Sequence, residues 1–243
     1  MTTKTTKATP RKAPAKKTRV RKAPAKKPVD AITVSVSDFE KAIARVKPFA
    51  CTDETLPMIN GIMLELKDRV LTVVATDRFT IGASLVHPLF YDEDEELPAD
   101  FQVVIRLPEL PIVAAVLKRC VLGRIDLQVL GGQIVIDGIR VGDTDLNGQF
   151  PDWRRLVTEA EKRINGGVPE IGEIAMNPAY LRRFAQIRPL PTMRVTGANH
   201  PALAVAEGFI GLLMPVRITT TREEVLAKFG IAMEKPESAE SAA

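Results

Sequence analysis

The chain has 243 residues and a formal net charge of +4, yet eleven of its 34 Lys and Arg lie in residues 1–28, which hold no acid. Residues 29–243 carry 23 basic against 30 acidic residues, a net charge of −7, so an acidic body bears a basic arm and a uniformly basic globule is excluded. No apolar run approaches the ~20 residues that span a bilayer and no apolar stretch of secretory type stands at the N-terminus, so a cytoplasmic protein with no membrane attachment is expected.

The arm repeats the heptapeptide RKAPAKK at 11–17 and 21–27 in a background of Thr, Ala and Pro. Low hydrophobicity, prolines and like charges predict a solvated, disordered chain. Its Arg11, Lys12, Arg21 and Lys22 are suited to phosphates, where each neutralised phosphate releases counterions and makes binding salt-dependent. A solubilising tail is the alternative.

Within the body the same order of elements recurs three times. The first unit opens on the β-rich ITVSV at 32–36. Ser37 and Glu40 suggest a capping box for a helix whose apolar stripe is Phe39, Ala42, Ile43 and Val46. The strand-like runs MINGIMLEL, RVLTVVAT and FTIGASLV follow. The second unit reads FQVVIRL, a helix over 109–118 with Pro111 tolerated in its first turn, then RIDLQVL, QIVID and IRVGDTDL. The third reads EIAM, then a helix started by Asn177 as N-cap and Pro178 at the first position. Leu181, Phe184 and Ala185 form its stripe, and TMRVT, ALAVA and FIGLLMPVRI supply three strands. Strand, helix, three strands, thrice over, predicts an α+β fold with helices segregated to one side of antiparallel sheets. A unit of this size hides an apolar face that a neighbour must cover. If two units close on each other, the third needs a partner within the chain or from another subunit.

Signals for catalysis are absent. There is no GxxxxGKS loop and no GxSxG elbow, and His87 and His200 lie in unrelated segments beside prolines. Cys51 and Cys120 are too few for a disulfide framework and lack a nearby ligand-forming partner. Asp143, Asp145, Asn147 and Gly148 imitate the start of a calcium loop, but Arg154 stands where the bidentate Glu is required, and a tight turn explains them. Consecutive acids at 92–96 cannot converge on one ion from an extended segment. No catalytic residue, metal or cofactor is expected. The informative signals are cations on helices: Lys41, Arg45 and Lys47 with the first, Lys118 and Arg119 ending the second, Arg182 and Arg183 in the third. Six acids between 92 and 100 concentrate the opposite charge. Helices lining one face would touch phosphates without reading bases. Ordinary solvent-facing helix residues, favoured at C-termini by the helix dipole, are the competing interpretation.

The stretch LPMINGIMLELKDRVLTVVATDRFTIGASLV, the segment LNGQFPDWRRLV at 146–157 and the closing AMNPAYLRRFAQI…GFIGLLMPVRI resemble the bacterial DNA polymerase III β subunit, the sliding clamp, over about residues 31–218. The order and spacing of these pieces make the resemblance specific. It implies the DNA-clamp fold, with helices facing a DNA hole and sheets outside, and a non-enzymatic role: tethering a polymerase to duplex DNA without sequence readout. The basic helix residues become candidates for the inner surface.

The resemblance also implies an apolar pocket for short peptides of polymerases and the clamp loader. By motif its residues here are Ile59, Thr76, Arg78, Phe79, Ile81, Leu212, Met214, Pro215, Val216, Arg217 and Ile218. Arg78, Phe79 and Thr80 stand where the family commonly has a GHR-like tripeptide. A β subunit has six such units in three domains, and three are seen here. The expected organisation is a basic arm at 1–28, a two-unit domain like the clamp's middle domain at 29–157, a linker at 158–171, a third unit at 172–220, and a short helix and disordered tail at 221–243. Homo-oligomerisation is expected, as is encoding by a phage or other mobile element. A clamp-like interaction protein that binds partner peptides without encircling DNA is the alternative function.

Overall fold

The computed structural model describes residues 31–89, 98–146, 148–166, 174–195 and 197–230. The basic arm with Arg11, Lys12, Arg21 and Lys22, the acidic run at 92–96, Asn147 and the C-terminal tail lie outside the described residues.

The first unit comprises β1 (Ala31–Ser35), α1 (Val36–Val46), β2 (Gly61–Lys67), β3 (Val70–Thr76) and β4 (Thr80–Val86). The α1 cap is Ser35 rather than Ser37: the strand ends earlier, and the Ser35 hydroxyl accepts from the Asp38 N–H at 3.4 Å. The second unit comprises β5 (Phe101–Arg106), α2 (Leu110–Arg119), β6 (Arg124–Leu130), β7 (Gln133–Ile136) and β8 (Ile139–Val141). Strand β8 stops at Val141 because Gly142 has φ of +69° and Asp143 turns the chain, its carboxylate accepting from the Asp145 N–H at 2.9 Å. That turn accounts for Asp143 and Asp145 of the calcium-like sequence.

The two units exchange their first strands. One sheet runs β1-β6-β7-β8, so the first strand of unit one caps the ladder of unit two; in the other, β5 of unit two lies beside β2 of unit one. All these pairings are antiparallel, and the exchange closes the two units into one body around a shared core.

Residues 158–165, expected as linker, belong to a helix. Trp153–Asn165 forms α3, whose N-cap Asp152 accepts from the Arg155 N–H at 3.1 Å. Unit three follows with α4 (Pro178–Leu181), continued as a 3-10 turn to Gln186, then β9 (Thr192–Arg194), β10 (Ala202–Ala206) and β11 (Phe209–Leu213). Asn177 caps α4 as the sequence predicts, accepting from the Ala179 N–H at 2.9 Å. The C-terminal α5 (Arg222–Lys228) has a Thr221/Glu224 capping box.

Unit three finds its sheet partner within the chain. Strand β11 pairs antiparallel with β4, extending the second sheet to seven strands in the order β5-β2-β3-β4-β11-β10-β9. Of the two sources of a neighbour that the sequence left open, the chain itself supplies one, at the β4 edge. The alternation of side chains divides the two faces of that sheet. On one, Ile62, Leu64, Leu71, Val73, Val103, Ile105 and Leu213 pack with Phe39 and Val46 of α1, Val113 and Leu117 of α2, Phe184 of unit three, and the inner residues of the first sheet. On the other, Met63, Val74, Ile81, Val104, Leu203 and Leu212 are covered by Trp153, Ala160 and Ile164 of α3. Thus α1, α2 and the helical segment of unit three share one side, and α3 lies on the opposite side of the sheet.

Candidate functional site

The shared helix side positions the basic residues. Apolar spacing turns Phe39, Ala42 and Val46 of α1 and Val113, Val116 and Leu117 of α2 inward. Lys41, Lys47, Lys118, Arg119 and Arg182 are consequently exposed. Lys118 and Arg119 also occupy the last turn of α2, where the helix dipole favours cations.

Two of the candidate cations are held inside the chain instead. The Arg45 guanidinium donates to the carbonyl of Arg188 and, at 3.4 Å, to that of Glu207, tying α1 to unit three. Gln186 reinforces this tie by donating to the Ala44 carbonyl at 3.0 Å. A cleft of about 600 Å³ lies here, lined by Lys41, Arg45, His87 and Arg188 together with Asp38 and Glu207. Arg183 reaches the β3–β4 turn: it meets the Asp77 carboxylate at 2.6 Å, donates to the Thr80 hydroxyl, and stacks over the Tyr180 ring with its guanidinium carbon 4.7 Å from the centroid. Helical position alone does not distinguish these two from Lys118 and Arg119; each is placed by a partner more than 100 residues away in sequence.

The β3–β4 turn is built by Asp77, whose carboxylate accepts from the Phe79 N–H at 3.1 Å and the Thr80 N–H at 2.8 Å, while Arg78 adopts φ of +78°. The turn meets unit three directly. Phe79 stacks on Tyr180 with centroids 5.7 Å apart and 16° between planes, and its carbonyl accepts from the Met214 N–H at 2.9 Å.

The eleven pocket candidates separate by depth. Ile59, Thr76, Ile81 and Leu212 are buried, the last two opposite each other on β4 and β11 under α3, where Leu156 and Val157 also pack. At the surface stand Arg78, Phe79 (49% exposed), Val216, Arg217 and Ile218, beside half-buried Met214 and Pro215. Sheet pairing therefore brings both motif segments together, but as a buried floor and an exposed apolar rim. Sequence reasoning missed Leu156, Val157, Ala160 and Ile164 of α3 as neighbours of the patch. Their spacing of three or four behind an Asp cap is a helix signal.

Among the described residues no group of three or more His, Cys, Asp or Glu is placed to hold a metal ion. Cys51 is buried. Burial pushes the Cys120 thiol up, with the Asp137 carboxylate a second cause, so Cys120 is not an activated thiolate. No helix among the described residues is long and apolar enough to cross a membrane.

The architecture matches solved structures. The DNA polymerase III β subunit of Thermotoga maritima superposes with a TM-score of 0.60 at 17% identity, covering 83% of this chain and 69% of that one. The sliding-clamp fold is the fold of this chain. The β chain of DNA polymerase III from Streptococcus pneumoniae gives a TM-score of 0.59 at 20% identity over 84% of this chain and 68% of its own. In sequence, the β sliding clamp of Micrococcus luteus is 26% identical over 139 residues, 55% of this chain. The match spans only 42% of that relative's length. No family model matches the chain.

Proposed function

We propose that this chain is a sliding-clamp-like processivity factor without enzymatic activity, which holds duplex DNA against its helix side and tethers a polymerase to it. The supporting observation is the segregation of α1, α2 and the unit-three helix to one face of the sheets, with Lys41, Lys47, Lys118, Arg119 and Arg182 exposed. Flexible ammonium and guanidinium groups on such a face meet phosphates of any sequence, and screening keeps each interaction weak enough to exchange during sliding. Arg45 and Arg183 have a different role in this reading: they lock the helices to the sheet junction.

The exposed rim of Phe79, Met214, Pro215 and Val216 is the proposed docking patch for short linear peptides of a polymerase or clamp loader. Met and aliphatic side chains adapt to varied apolar anchors. With Ile81 and Leu212 roofed by α3, such an anchor would enter at the rim. The likeness to β sliding clamps in fold, and to the Micrococcus luteus protein in sequence, supports the same reading. The test is retention on DNA of the full chain, mixed with polymerase and loader from its own replication system. Persistence on closed circles with loss after linearisation supports encirclement; equal loss from both overturns it.

A further inference from the structure

Each of the three units carries the same isolated bridge. Val34 of β1 bridges Pro88, just after β4; Val104 of β5 bridges Asp143, just after β8; Ala175 bridges Val216, just after β11. The bridges mark residues 174–176 as the first strand of unit three, equivalent to β1 and β5. In units one and two that strand does something more: its other edge joins the second strand of the opposite unit, β1 on β6 and β5 on β2. Unit three has no opposite unit among the described residues. Among the described residues, 174–176 make only the bridge, and β9, the equivalent of β2 and β6, pairs with β10 on one edge and ends the seven-stranded sheet on the other. Unit three thus has both halves of the exchange, a donor strand and an acceptor edge, and among the described residues neither is used.

Two such units complete each other. We infer that two copies of this chain associate by reciprocal exchange, residues 174–176 of each copy pairing antiparallel with β9 of the other, to build a two-unit body like that of units one and two. The interface is self-complementary about a two-fold axis, and an exposed strand edge is a template for this kind of pairing. The flanking surface fits a buried role, since Leu181 on α4 and Leu190 ahead of β9 remain 37% and 71% exposed. The register follows from the existing pairs. The bridge residue Val34 faces Ile125, the second residue of β6, and Val104 faces Met63, the third of β2. By the same relation Ala175 faces the middle of β9, at Met193.

The experiment uses the full chain with Cys120→Ser. Ala175→Cys and Met193→Cys, or Thr192→Cys one residue earlier, are made in separate chains, mixed and oxidised. A disulfide-linked pair is expected in the mixture and in neither variant alone, with light scattering giving an even number of chains at micromolar concentration. A monomeric mass overturns the inference. So does an oligomer that forms no disulfide from 175 to either 192 or 193 but is captured by Ile139→Cys on the β8 edge. These readouts need no DNA, so they are separable from failure of the clamp reading.

Discussion

Gly82 and Gly211 face each other across the β4–β11 ladder, and aromatic rings fill the space their missing side chains leave. A Cβ on Gly82 would lie 2.5 Å from the Phe49 ring, and one on Gly211 would lie 2.6 Å from the Phe184 ring. Phe49 and Phe184 meet edge-on, with centroids 4.9 Å apart, and Phe209 completes the cluster. This joint holds unit three to unit one.

Gly82→Ala is therefore expected to destabilise the chain despite the entropy an alanine saves in a strand. Overpacking a tight core costs about 1–3 kcal/mol, and each kcal/mol lowers Tm by roughly 2–4 °C at this size. Adding Phe49→Leu should recover part of the loss, giving a non-additive cycle in thermal unfolding. A strictly additive pair would mean that ring and glycine are not coupled.

Arg78→Gly should act in the opposite direction. A left-handed residue with a Cβ is strained by roughly 1–2 kcal/mol, which glycine relieves. A higher denaturation midpoint is expected, with the Asp77 turn intact. An unchanged or lower midpoint would show that the interactions of the Arg78 side chain outweigh the strain.

The seat of α3 depends on a carboxylate. The side chain of Glu65, on the α3 face of β2, is only 3% exposed; Arg154 donates to it at 2.7 Å and Gln102 at 2.8 Å. Arg154→Ala would leave that charge buried with one neutral partner. Breaking a buried pair costs about 3–5 kcal/mol, and the partial exposure of Arg154 places the expected loss at the lower end. Glu65→Gln should be milder. Equal losses would argue against an unpaired-charge origin.

Much of this organisation is legible in the sequence and some is not. Apolar, β-branched runs between polar breaks locate β2, β3 and β4, which are buried on both faces, while β6 and β7 show the period-two alternation of a half-buried sheet. Asn177-Pro178 marks a helix start because capping is local. The exchange of β1 and β5 leaves no local trace, since each strand has the same pattern whichever ladder it joins. Arg45 and Arg183 look like Lys118 and Arg119 for the same reason: helical position shows which side chains leave the core, while their partners come from distant segments. The Ala160 and Ile164 stripe is readable, and the polar residues around it favour the linker interpretation.

That distinction among the cations has a measurable consequence. Lys118→Glu with Arg119→Glu should weaken binding to duplexes of any sequence and reduce the salt slope by about one for each phosphate no longer neutralised. Arg183→Ala should lower Tm, because Asp77 is left without its charged partner, and leave the slope unchanged. The reverse pattern would reassign the two sets.

At the rim, Phe79→Ala with Met214→Ala is expected to weaken binding of a polymerase-derived linear peptide by about tenfold or more, with DNA binding unaltered. That is roughly 1.4 kcal/mol shared between two apolar side chains. The buried Leu212 is unsuitable for this test, since Leu→Ala in a core costs about 2–5 kcal/mol in stability. Unchanged peptide affinity would remove the rim from consideration.

The most direct measurement is the residence of the full chain, with polymerase and loader from its own system, on one DNA molecule before and after a single double-strand cut. Long residence on the closed circle and rapid loss from the cut ends at moderate salt is the expected result. Residence that depends on salt alone, and not on whether the ends are free, would contradict a clamp that holds DNA by surrounding it.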